Sequence, residues 1–434
     1  MIMTEIIAKK RDGHALSTEE IEFFIEGYTK GTFPDYQASA LLMAIVIKGM
    51  TTAETHALTM AMLKSGDVMD LSSIHGIKAD KHSTGGVGDK TSIALLPMIA
   101  ANGVKMAKMS GRGLGFTGGT IDKLESFPGF SCEMSEKQFT DRVNNLGLAI
   151  ASQTGQLVPA DKKLYALRDV TGTVESIPLI VSSIMSKKLA AGADVIVLDV
   201  KCGSGAFMKT LDDARELAKE MVEVGKLAGR KTVACITEMS EPLGVAVGNA
   251  LEIKEAIALL KGEVSGNLRE LCLTLGACIL TESGAFENHS LSRAALIKGI
   301  EDGSALTKLA DMVEAQGGER ESVYNTELLP KANTVLSVVS DMQGYISEIN
   351  AGEVGMVSMQ LGGGRATKES EIDLSVGIVL RKKVGDRLDK GEILAEIHAK
   401  NEEEAKKAAK ALLSCYKLSA TAPEKVLFIK EIIR

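Results

Sequence analysis

Two glycine-rich segments carry most of the side chains that could bind an anion. Residues 81–92 read KHSTGGVGDKTS and residues 108–120 read KMSGRGLGFTGGT, so a lysine and hydroxyl residues accompany the glycines in both. Glycines let backbone N–H groups approach an anion closely, hydroxyls add short donors, and Lys81 and Lys108 add positive charge. If the fold brings the two segments together, they form a site for a dianion such as phosphate.

Three kinds of phosphate site could use such segments. Residues 85–91 resemble a P-loop, but Asp89 interrupts the pattern, and its carboxylate would repel the phosphates. The glycines of 113–118 fit a dinucleotide fingerprint, but residues 119–123 continue it poorly. Free phosphate or a sugar phosphate needs neither fingerprint, and we favour it. Glycines that only build tight turns would explain one such segment better than two.

Composition restricts the possible partners. The net charge is -7, aromatic residues make up 4% and Trp is absent, which argues against a nucleic-acid partner. Phosphate must therefore be attracted locally. The six cysteines form no C-x-x-C pair and the histidines are scattered, so we do not expect zinc. The sequence shows no signal peptide and no apolar run of membrane-spanning length, and we expect a reducing cytoplasm.

The first part of the chain reads as helices, and the middle as alternating strands and helices. Ser17 with Glu20, and Thr51 with Glu54, form capping boxes at predicted helix starts, and 36–48 is a third predicted helix. From about residue 78 the pattern changes to an α/β domain. Its clearest unit is a parallel βαβ crossover with predicted elements at 195–200, 211–227 and 233–237.

The last hundred residues read differently again. Residues 384–392 resemble the hammerhead hairpin of biotinyl and lipoyl carrier domains, but no turn carries a lysine between methionines, as those carriers require. We interpret this part as a structural, β-rich domain. The predicted strands are 344–349, 354–361, 376–380 and 393–397, followed by a helix over 402–415.

The run from Ser110 to Glu125, SGRGLGFTGGTIDKLE, resembles the signature of the thymidine and pyrimidine nucleoside phosphorylase family. Further matches lie at 159–162, 165–169, 182–188 and 199–207, so the resemblance covers essentially the whole chain. It implies a pentosyltransferase of nucleoside salvage. Such an enzyme reversibly cleaves uridine, thymidine and deoxyuridine to the free base and (deoxy)ribose 1-phosphate. Bound phosphate attacks the anomeric carbon of the sugar, and no organic cofactor is needed.

The resemblance also assigns roles to single residues. His82, Arg168 and Lys187 are the implied catalytic residues. The two cations would stabilise charge on the leaving pyrimidine, and His82 would supply a proton or a hydrogen bond to a base carbonyl. The implied phosphate site comprises Lys81, Ser83, Ser92, Lys108, Ser110 and Thr120. The implied nucleoside site comprises Tyr165, Arg168, Ser183, Lys187 and Phe207.

Each of these side chains also has a purely structural interpretation. Arg168 could form a surface ion pair with Asp169, Lys187 and Lys188 could be solvated near a helix end, and His82 could be structural. Their occurrence together in one family pattern favours the functional interpretation.

The family resembles anthranilate phosphoribosyltransferase in fold, which implies an α/β architecture with an active-site cleft between two domains. We expect a helical domain over 1–70 with a returning segment at about 160–190. An α/β domain would comprise 71–159 and 191–334, and a C-terminal α+β domain would comprise 335–434. Closure of the cleft would bring phosphate to the sugar. The resemblance further implies a homodimer formed through the helical domain.

Two positions bear on specificity and on loop geometry. Thymidine-restricted relatives have Met where this chain has Lys108, whereas the broader pyrimidine enzymes have Lys, so we expect uridine to be a substrate as well. Relatives usually have His where this chain has Phe116. A histidine there would orient the glycine loop, whereas Phe can only pack.

A third position, Lys90, concerns a monovalent cation. The family's potassium site falls on Gly88, Lys90, Leu243, Ala246 and Glu255, and relatives have a small residue at the position of Lys90. One alternative is that the Lys90 ammonium takes the place of potassium and pairs with Glu255. The other is that Lys90 points to solvent and leaves the backbone carbonyls to bind the ion.

Two rival functions remain at this point. AMP phosphorylases are related enzymes with another substrate and an additional N-terminal domain, whereas this sequence starts directly with the helical domain. A non-catalytic relative would bind without turnover, but Lys81, Ser110, Arg168, Ser183 and Lys187 are all intact. Phosphate-dependent release of uracil from uridine would separate all three.

Overall fold

The computed structural model describes residues 1–113, 115, 118–153, 157–365, 367 and 370–434.

Reciprocal capping fixes where the first helices begin. Ser17 Oγ accepts a hydrogen bond from Glu20 N at 3.3 Å, and Glu20 Oε2 accepts one from Ser17 N at 2.7 Å. Thr51 and Glu54 repeat this arrangement, so both predicted capping boxes are confirmed.

The helices follow the predicted division into an α-rich start and an α/β middle. Within the described ranges, no helix is long and apolar enough to cross a membrane. In chain order the helices are α1 Met3–Arg11, α2 Thr18–Thr29, α3 Asp35–Lys48, α4 Thr52–Leu63, α5 Thr91–Ala100, α6 Thr120–Leu124, α7 Glu136–Leu146, α8 Pro159–Arg168, α9 Ile177–Ala190, α10 Leu211–Leu227, α11 Asn249–Leu260, α12 Asn267–Glu282, α13 His289–Glu301, α14 Ser304–Ala315, α15 Glu321–Tyr324, α16 Ala351–Ser358 and α17 Glu402–Ser414.

The strands divide into one central sheet and two smaller C-terminal sheets. In chain order they are β1 Lys78–Ser83, β2 Lys105–Ser110, β3 Leu148–Ser152, β4 Val195–Cys202, β5 Lys231–Glu238, β6 Ala246–Val247, β7 Thr334–Val339, β8 Gly344–Ile349, β9 Gly377–Leu380, β10 Arg387–Leu388, β11 Ile393–Ala399, β12 Tyr416–Ser419 and β13 Ile429–Ile433.

The central sheet places the ends of its parallel strands at one edge. Its order is β13-β5-β4-β1-β2-β3, with β1 to β5 parallel and β13 antiparallel to β5. The β4–α10–β5 crossover confirms the predicted βαβ unit. Every residue of β4 is buried, as expected for a strand covered on both faces. Ligands of such sheets bind beyond the carboxyl ends of the strands, and β1 and β2 end at Ser83 and Ser110.

Helices α8 and α9 return to pack on the N-terminal helices. Phe24, Leu41 and Leu58 of the first helices share one apolar cluster with Leu164 and Leu179 of α8 and α9. The segment at about 160–190 therefore packs against the helical part of the chain. It faces the carboxyl ends of strands β1 and β2. The exact domain boundaries stay a prediction.

The C-terminal residues form the sheets β10-β8-β12 and β6-β9-β11-β7, both antiparallel. Strand β6 comes from the middle of the chain, and its Ala246 pairs with Val379 of β9. A strand from the α/β part is thus built into the C-terminal sheet. The three parts together confirm the predicted fold class.

One sequence-based assignment in the C-terminal part of the chain needs correction. The predicted strand over 354–361 is wrong, because α16 and a π-helical turn at Met359–Gly363 occupy this segment. Asn350 accepts from Glu353 N at 3.2 Å and caps the helix. Val354, Val357 and Leu361 are spaced for one helical face and enter the C-terminal core together.

Helix α1 was not predicted from the sequence. Its Lys10 is buried and its Nζ donates to Glu54 Oε1 at 2.7 Å. The charge partner that holds α1 therefore lies on another helix. The sequence around α1 does not reveal this contact.

Candidate active site

A cavity of about 520 Å³ separates α8 and α9 from the carboxyl ends of β1 and β2. Every residue that the resemblance assigned to phosphate or nucleoside lines it. The sheet side contributes Lys81, His82, Ser83, Ser92, Lys108, Ser110 and Thr120. The helical side contributes Tyr165, Arg168, Ser183 and Lys187, and Phe207 follows β4.

On the sheet side, the first glycine-rich segment leads from the end of β1 into α5. Ser92 lies in the first turn of α5, between Thr91, whose N–H donates to Asp89 Oδ1 at 3.1 Å, and Ile93, whose N–H donates to Lys90 O at 3.0 Å. Gly88 has φ +74°, and a Cβ there would lie 2.6 Å from Leu243 O, so this position requires glycine. The segment therefore lines the cavity with its hydroxyl residues and its lysine, and its binding of an anion stays a prediction.

Lys81 faces two carboxylates without hydrogen bonding to either. Its Nζ lies 3.6 Å from Asp89 Oδ2 and 3.8 Å from Asp199 Oδ2, and the side chain is 1% exposed. Burial alone would raise the pKa of Asp89, but the ammonium groups of Lys81, Lys201 and Lys123 hold it well below its usual value. Because both distances exceed those of charge-assisted hydrogen bonds, the Lys81 ammonium keeps donors for an anion.

Asp80 connects two further lysines beneath the cavity. Its carboxylate is 0% exposed, accepts from Lys188 Nζ at 2.8 Å and lies 3.4 Å from Lys108 Nζ. Lys108 also donates to the Lys81 carbonyl at 2.7 Å. Burial lowers the pKa of Lys108 to about 8; Asp80 opposes this effect, and Lys188 and Lys81 reinforce it.

Arg168, on the helical side, is fixed by neutral groups. Its guanidinium donates to the carbonyls of Thr173 at 3.1 Å, Val174 at 2.7 Å and Leu179 at 3.0 Å. The surface ion pair with Asp169 is therefore wrong, because Arg168 is buried and bonds to carbonyls. A guanidinium has five donors, so two N–H groups remain beyond these three contacts.

Lys187 and Ser183 lie one helical turn apart on α9. Lys187 Nζ donates to Asp161 Oδ2 at 2.7 Å and to Ser183 Oγ at 3.1 Å. The alternative that Lys187 and Lys188 are solvated is wrong, since Lys187 is held by this carboxylate and Lys188 is buried. The pair at Lys187 and Ser183 gives this side of the cavity one cation and one hydroxyl.

Aromatic side chains mark the mouth of the cavity. Tyr165 on α8 is 40% exposed and Phe207 after β4 is 54% exposed. The Arg168 guanidinium carbon lies 5.8 Å from the centre of the Tyr165 ring. Two apolar faces therefore stand where a planar base would enter.

His82 lies on β1, on the sheet side of the cavity. Its enclosure by protein and the nearby ammonium groups of Lys188, Lys108, Lys187 and Lys81 hold its pKa well below the usual value. The imidazole is therefore neutral at physiological pH. A neutral ring can donate one hydrogen bond and accept another, but it lacks the additional proton of an imidazolium.

The residues expected to bind potassium form a separate, buried group. Lys90 Nζ donates to Leu243 O at 2.9 Å, Ala246 O at 2.8 Å and Glu255 Oε2 at 2.6 Å. The alternative in which Lys90 points to solvent is wrong, because its side chain is 0% exposed. These three acceptors converge on the Lys90 ammonium, so they leave no place for a potassium ion beside it. Gly88, the remaining residue of the expected site, lies against Leu243 O.

Sequence reasoning gave no role to Asp80, Asp161 or Lys188. A carboxylate inside a buried strand or helix needs a cation, so Asp80 next to Lys81 was a signal that a charge network lies there. The partners could not be named, because Lys188 lies 108 residues from Asp80. The expectation for Phe116 concerns a position outside the described residues.

Comparisons with known proteins agree with this architecture. Family models match the helical bundle domain of a glycosyl transferase family at residues 4–66 and its a/b domain at residues 75–306. A third model, the pyrimidine nucleoside phosphorylase C-terminal domain, matches residues 345–419. A crystal structure of anthranilate phosphoribosyltransferase from Thermus thermophilus matches with a TM-score of 0.59 at 20% identity. The alignment covers 72% of this chain and 99% of the anthranilate phosphoribosyltransferase chain. It confirms the expected likeness, which is a likeness of fold alone.

Curated relatives extend the match to nearly the full length. The pyrimidine-nucleoside phosphorylase of Geobacillus stearothermophilus is 57% identical over 421 residues, covering 97% of each chain. That of Staphylococcus haemolyticus (strain JCSC1435) is 59% identical over 402 residues, covering 93% of each chain. The resemblance inferred from the motifs is therefore confirmed, and the chain belongs to the pyrimidine-nucleoside phosphorylase family.

Proposed function

We propose that this enzyme uses phosphate to cleave uridine, thymidine and deoxyuridine, releasing the free base and (deoxy)ribose 1-phosphate. One observation supports this most directly. A single cavity has the donor-bearing Lys81 ammonium on one side and the fixed cations Arg168 and Lys187 on the other. An anionic nucleophile and a leaving group that becomes anionic can thus be bound on opposite sides of one sugar.

In the proposed reaction, a phosphate oxygen forms a bond to the anomeric carbon while the glycosidic C–N bond breaks. The electron pair of that bond moves to the pyrimidine, and the proton of hydrogen phosphate finally resides on the base nitrogen. Arg168 and Lys187 stabilise the developing negative charge, and Ser183 hydrogen-bonds the ring. Neutral His82 donates a hydrogen bond to a base carbonyl. No covalent enzyme intermediate is required, because phosphate is the nucleophile.

Phosphate is bound by Lys81, Lys108 and the hydroxyls of Ser83, Ser92, Ser110 and Thr120. Closure of the cavity would then bring phosphate and sugar together, with Tyr165 and Phe207 covering the base. Lys108 adds a cation near the sugar and supports activity on ribonucleosides as well as deoxyribonucleosides. The enzyme needs no organic cofactor, and Lys90 replaces a bound potassium ion.

We further propose that two copies pair through the helical domain. On α3, Tyr36 is 74% exposed, Met43 37% and Ile47 69%, and their spacing places them along one face. Ile2, beside α1, is 58% exposed. Contiguous apolar patches of this kind commonly mark protein interfaces. The cytoplasm fits as the compartment, because the cysteines are free and buried.

The function is tested by incubating the enzyme with uridine, thymidine and AMP in parallel, with and without phosphate. We expect uracil and thymine to be released only with phosphate, and AMP to remain intact. Release without phosphate would indicate hydrolysis, and cleavage of AMP alone would favour the rival substrate. No turnover at all would indicate a non-catalytic relative.

The base site is tested with Lys187→Met. Loss of a cation that acts mainly in the transition state should cost on the order of 3 kcal/mol, which lowers kcat roughly a hundredfold. Lys137→Met is the control, because it removes a surface ion pair of 2.6 Å to Asp141 and should leave kcat unchanged. Near-normal kcat in a folded Lys187→Met enzyme would refute the assignment, and Arg168→Ala should show a similar loss.

The phosphate site is tested by pH. Because the pKa of Lys108 is lowered to about 8, its charge is present below that pH and is lost above it. We expect kcat/KM for phosphate to fall roughly tenfold from about pH 7 to about pH 9, following this free-enzyme pKa. Lys108→Met should remove this inflection and weaken uridine cleavage more than thymidine cleavage. An inflection that persists in Lys108→Met would assign it to another group.

The cation proposal is tested with Lys90→Thr and Lys90→Met in buffers with and without potassium. We expect the activity and the melting temperature of the parent enzyme to be independent of potassium. Lys90→Thr frees the carbonyl oxygens for an ion, so potassium should raise both quantities. Lys90→Met fills the space without charge and should not respond. A parent enzyme that requires potassium would contradict the proposal.

The dimer is tested by light scattering of the parent and of Ile47→Glu. We expect the parent to have the mass of two chains and the variant to shift to one chain, because a buried unpaired carboxylate is costly. Leu227→Glu, at a position 53% exposed on α10, is the control and should leave the dimer intact. A monomeric parent would refute this proposal.

A further inference from the structure

Two lysines from different parts of the chain, the buried Lys90 and the partly buried Lys383, hold one short segment. We call residues 241–246 the 241–246 turn. Lys90, from the first glycine-rich segment, donates to its Leu243 and Ala246 carbonyls. Lys383, from the C-terminal domain, donates to its Gly244 carbonyl at 2.8 Å and to its Pro242 carbonyl. The turn is therefore clamped between the phosphate side of the enzyme and the C-terminal domain.

The 241–246 turn is also bonded directly to the glycine-rich segment. Leu243 N donates to Val87 O at 3.0 Å. The next residue, Gly88, lies so close that a Cβ would meet Leu243 O at 2.6 Å. Lys90 precedes α5, which carries the phosphate candidate Ser92. A displacement of the turn would therefore move the backbone that faces phosphate.

The C-terminal side of the clamp is equally specific. Lys383 Nζ lies 3.3 Å from Glu241 Oε2, and Val384 N donates to the same oxygen at 3.1 Å. Leu380 N donates to Val245 O at 2.8 Å, which extends the pairing of β6 with β9. Lys383 stands at the start of the hammerhead-like hairpin.

We propose that Lys383 is a positioning residue for phosphate, acting through the 241–246 turn and Lys90 on the first glycine-rich segment. The inference rests on the proposed phosphate site. It gives the C-terminal domain a role in the reaction although none of its described residues lines the active-site cavity. Lys382, its neighbour, makes a contrasting contact, since its Nζ pairs with Glu392 at 3.0 Å.

The test is steady-state kinetics of Lys383→Met with phosphate and uridine varied separately. We expect KM for phosphate to rise roughly tenfold, equivalent to about 1.4 kcal/mol of binding. The KM for uridine, and kcat at saturating phosphate, should remain close to the parent values. Lys383→Arg keeps the charge and the donors and should restore most of the phosphate affinity. Lys382→Met is the matched control and should behave as the parent does.

A purely structural lysine would give a different result. Lys383→Met would then lower the melting temperature but leave KM for phosphate unchanged at room temperature, and this outcome overturns the proposal. If Lys383→Met does not fold, Glu241→Gln provides the second test, because it removes the carboxylate facing Lys383 and keeps its shape. An unchanged KM for phosphate in a folded Glu241→Gln enzyme also overturns it. An inactive parent would instead refute the proposed function.

Discussion

Mutual repulsion among ammonium groups is the constraint on which the sheet side of the cavity depends. Lys81, Lys108 and Lys188 are all buried, and Lys108 and Lys188 share the Asp80 carboxylate. Two like charges about 4 Å apart repel by roughly 4 kcal/mol at an effective dielectric constant of about 20. The carboxylates of Asp80 and Asp199, both 0% exposed, offset this repulsion from beneath the site. The cations can therefore be assembled in advance, so that the proposed phosphate site needs little rearrangement.

The helical side solves a different problem with different partners. Arg168 is held by three carbonyl oxygens, which orient the guanidinium without neutralising its charge. Lys187 shares its ammonium with the Asp161 carboxylate. Full charge is most useful where negative charge appears only in the transition state. Arg168 is the cavity cation whose described hydrogen bonds all go to neutral oxygens, and this suits its proposed role beside a leaving group.

How much the sequence could predict depended on whether the determining contact was local. The capping boxes at Ser17 and Thr51 and the βαβ unit were predictable, because their contacts span a few residues or follow one period. The glycine-rich segments likewise predicted the sheet side of the cavity, whereas their binding of phosphate stays a prediction. The strand expected over 354–361 failed because an Asn350 cap, together with tertiary burial, outweighs the β preference of valine.

Contacts between distant residues could not be predicted. Lys108 and Asp80 are 28 residues apart, and Lys90 and Glu255 are 165 residues apart. The family resemblance placed Lys90 and Glu255 in one group, but only the fold shows that the ammonium, and not solvent, satisfies the carbonyls. Lys383 shows the same limit, since nothing around it in the sequence distinguishes it from Lys382.

The antiparallel strand β13 closes the outer edge of the central sheet by pairing with β5. Residues 239–428, which include α11 to α15 and most of the C-terminal domain, separate these two strands along the chain. During synthesis at roughly 5–20 residues per second, the edge of β5 therefore stays open for on the order of ten seconds. An unpaired strand edge can recruit other strands, including those of neighbouring nascent chains. Nascent copies on one polysome thus share a period in which chaperones would be most useful, and it ends only when β13 leaves the ribosome.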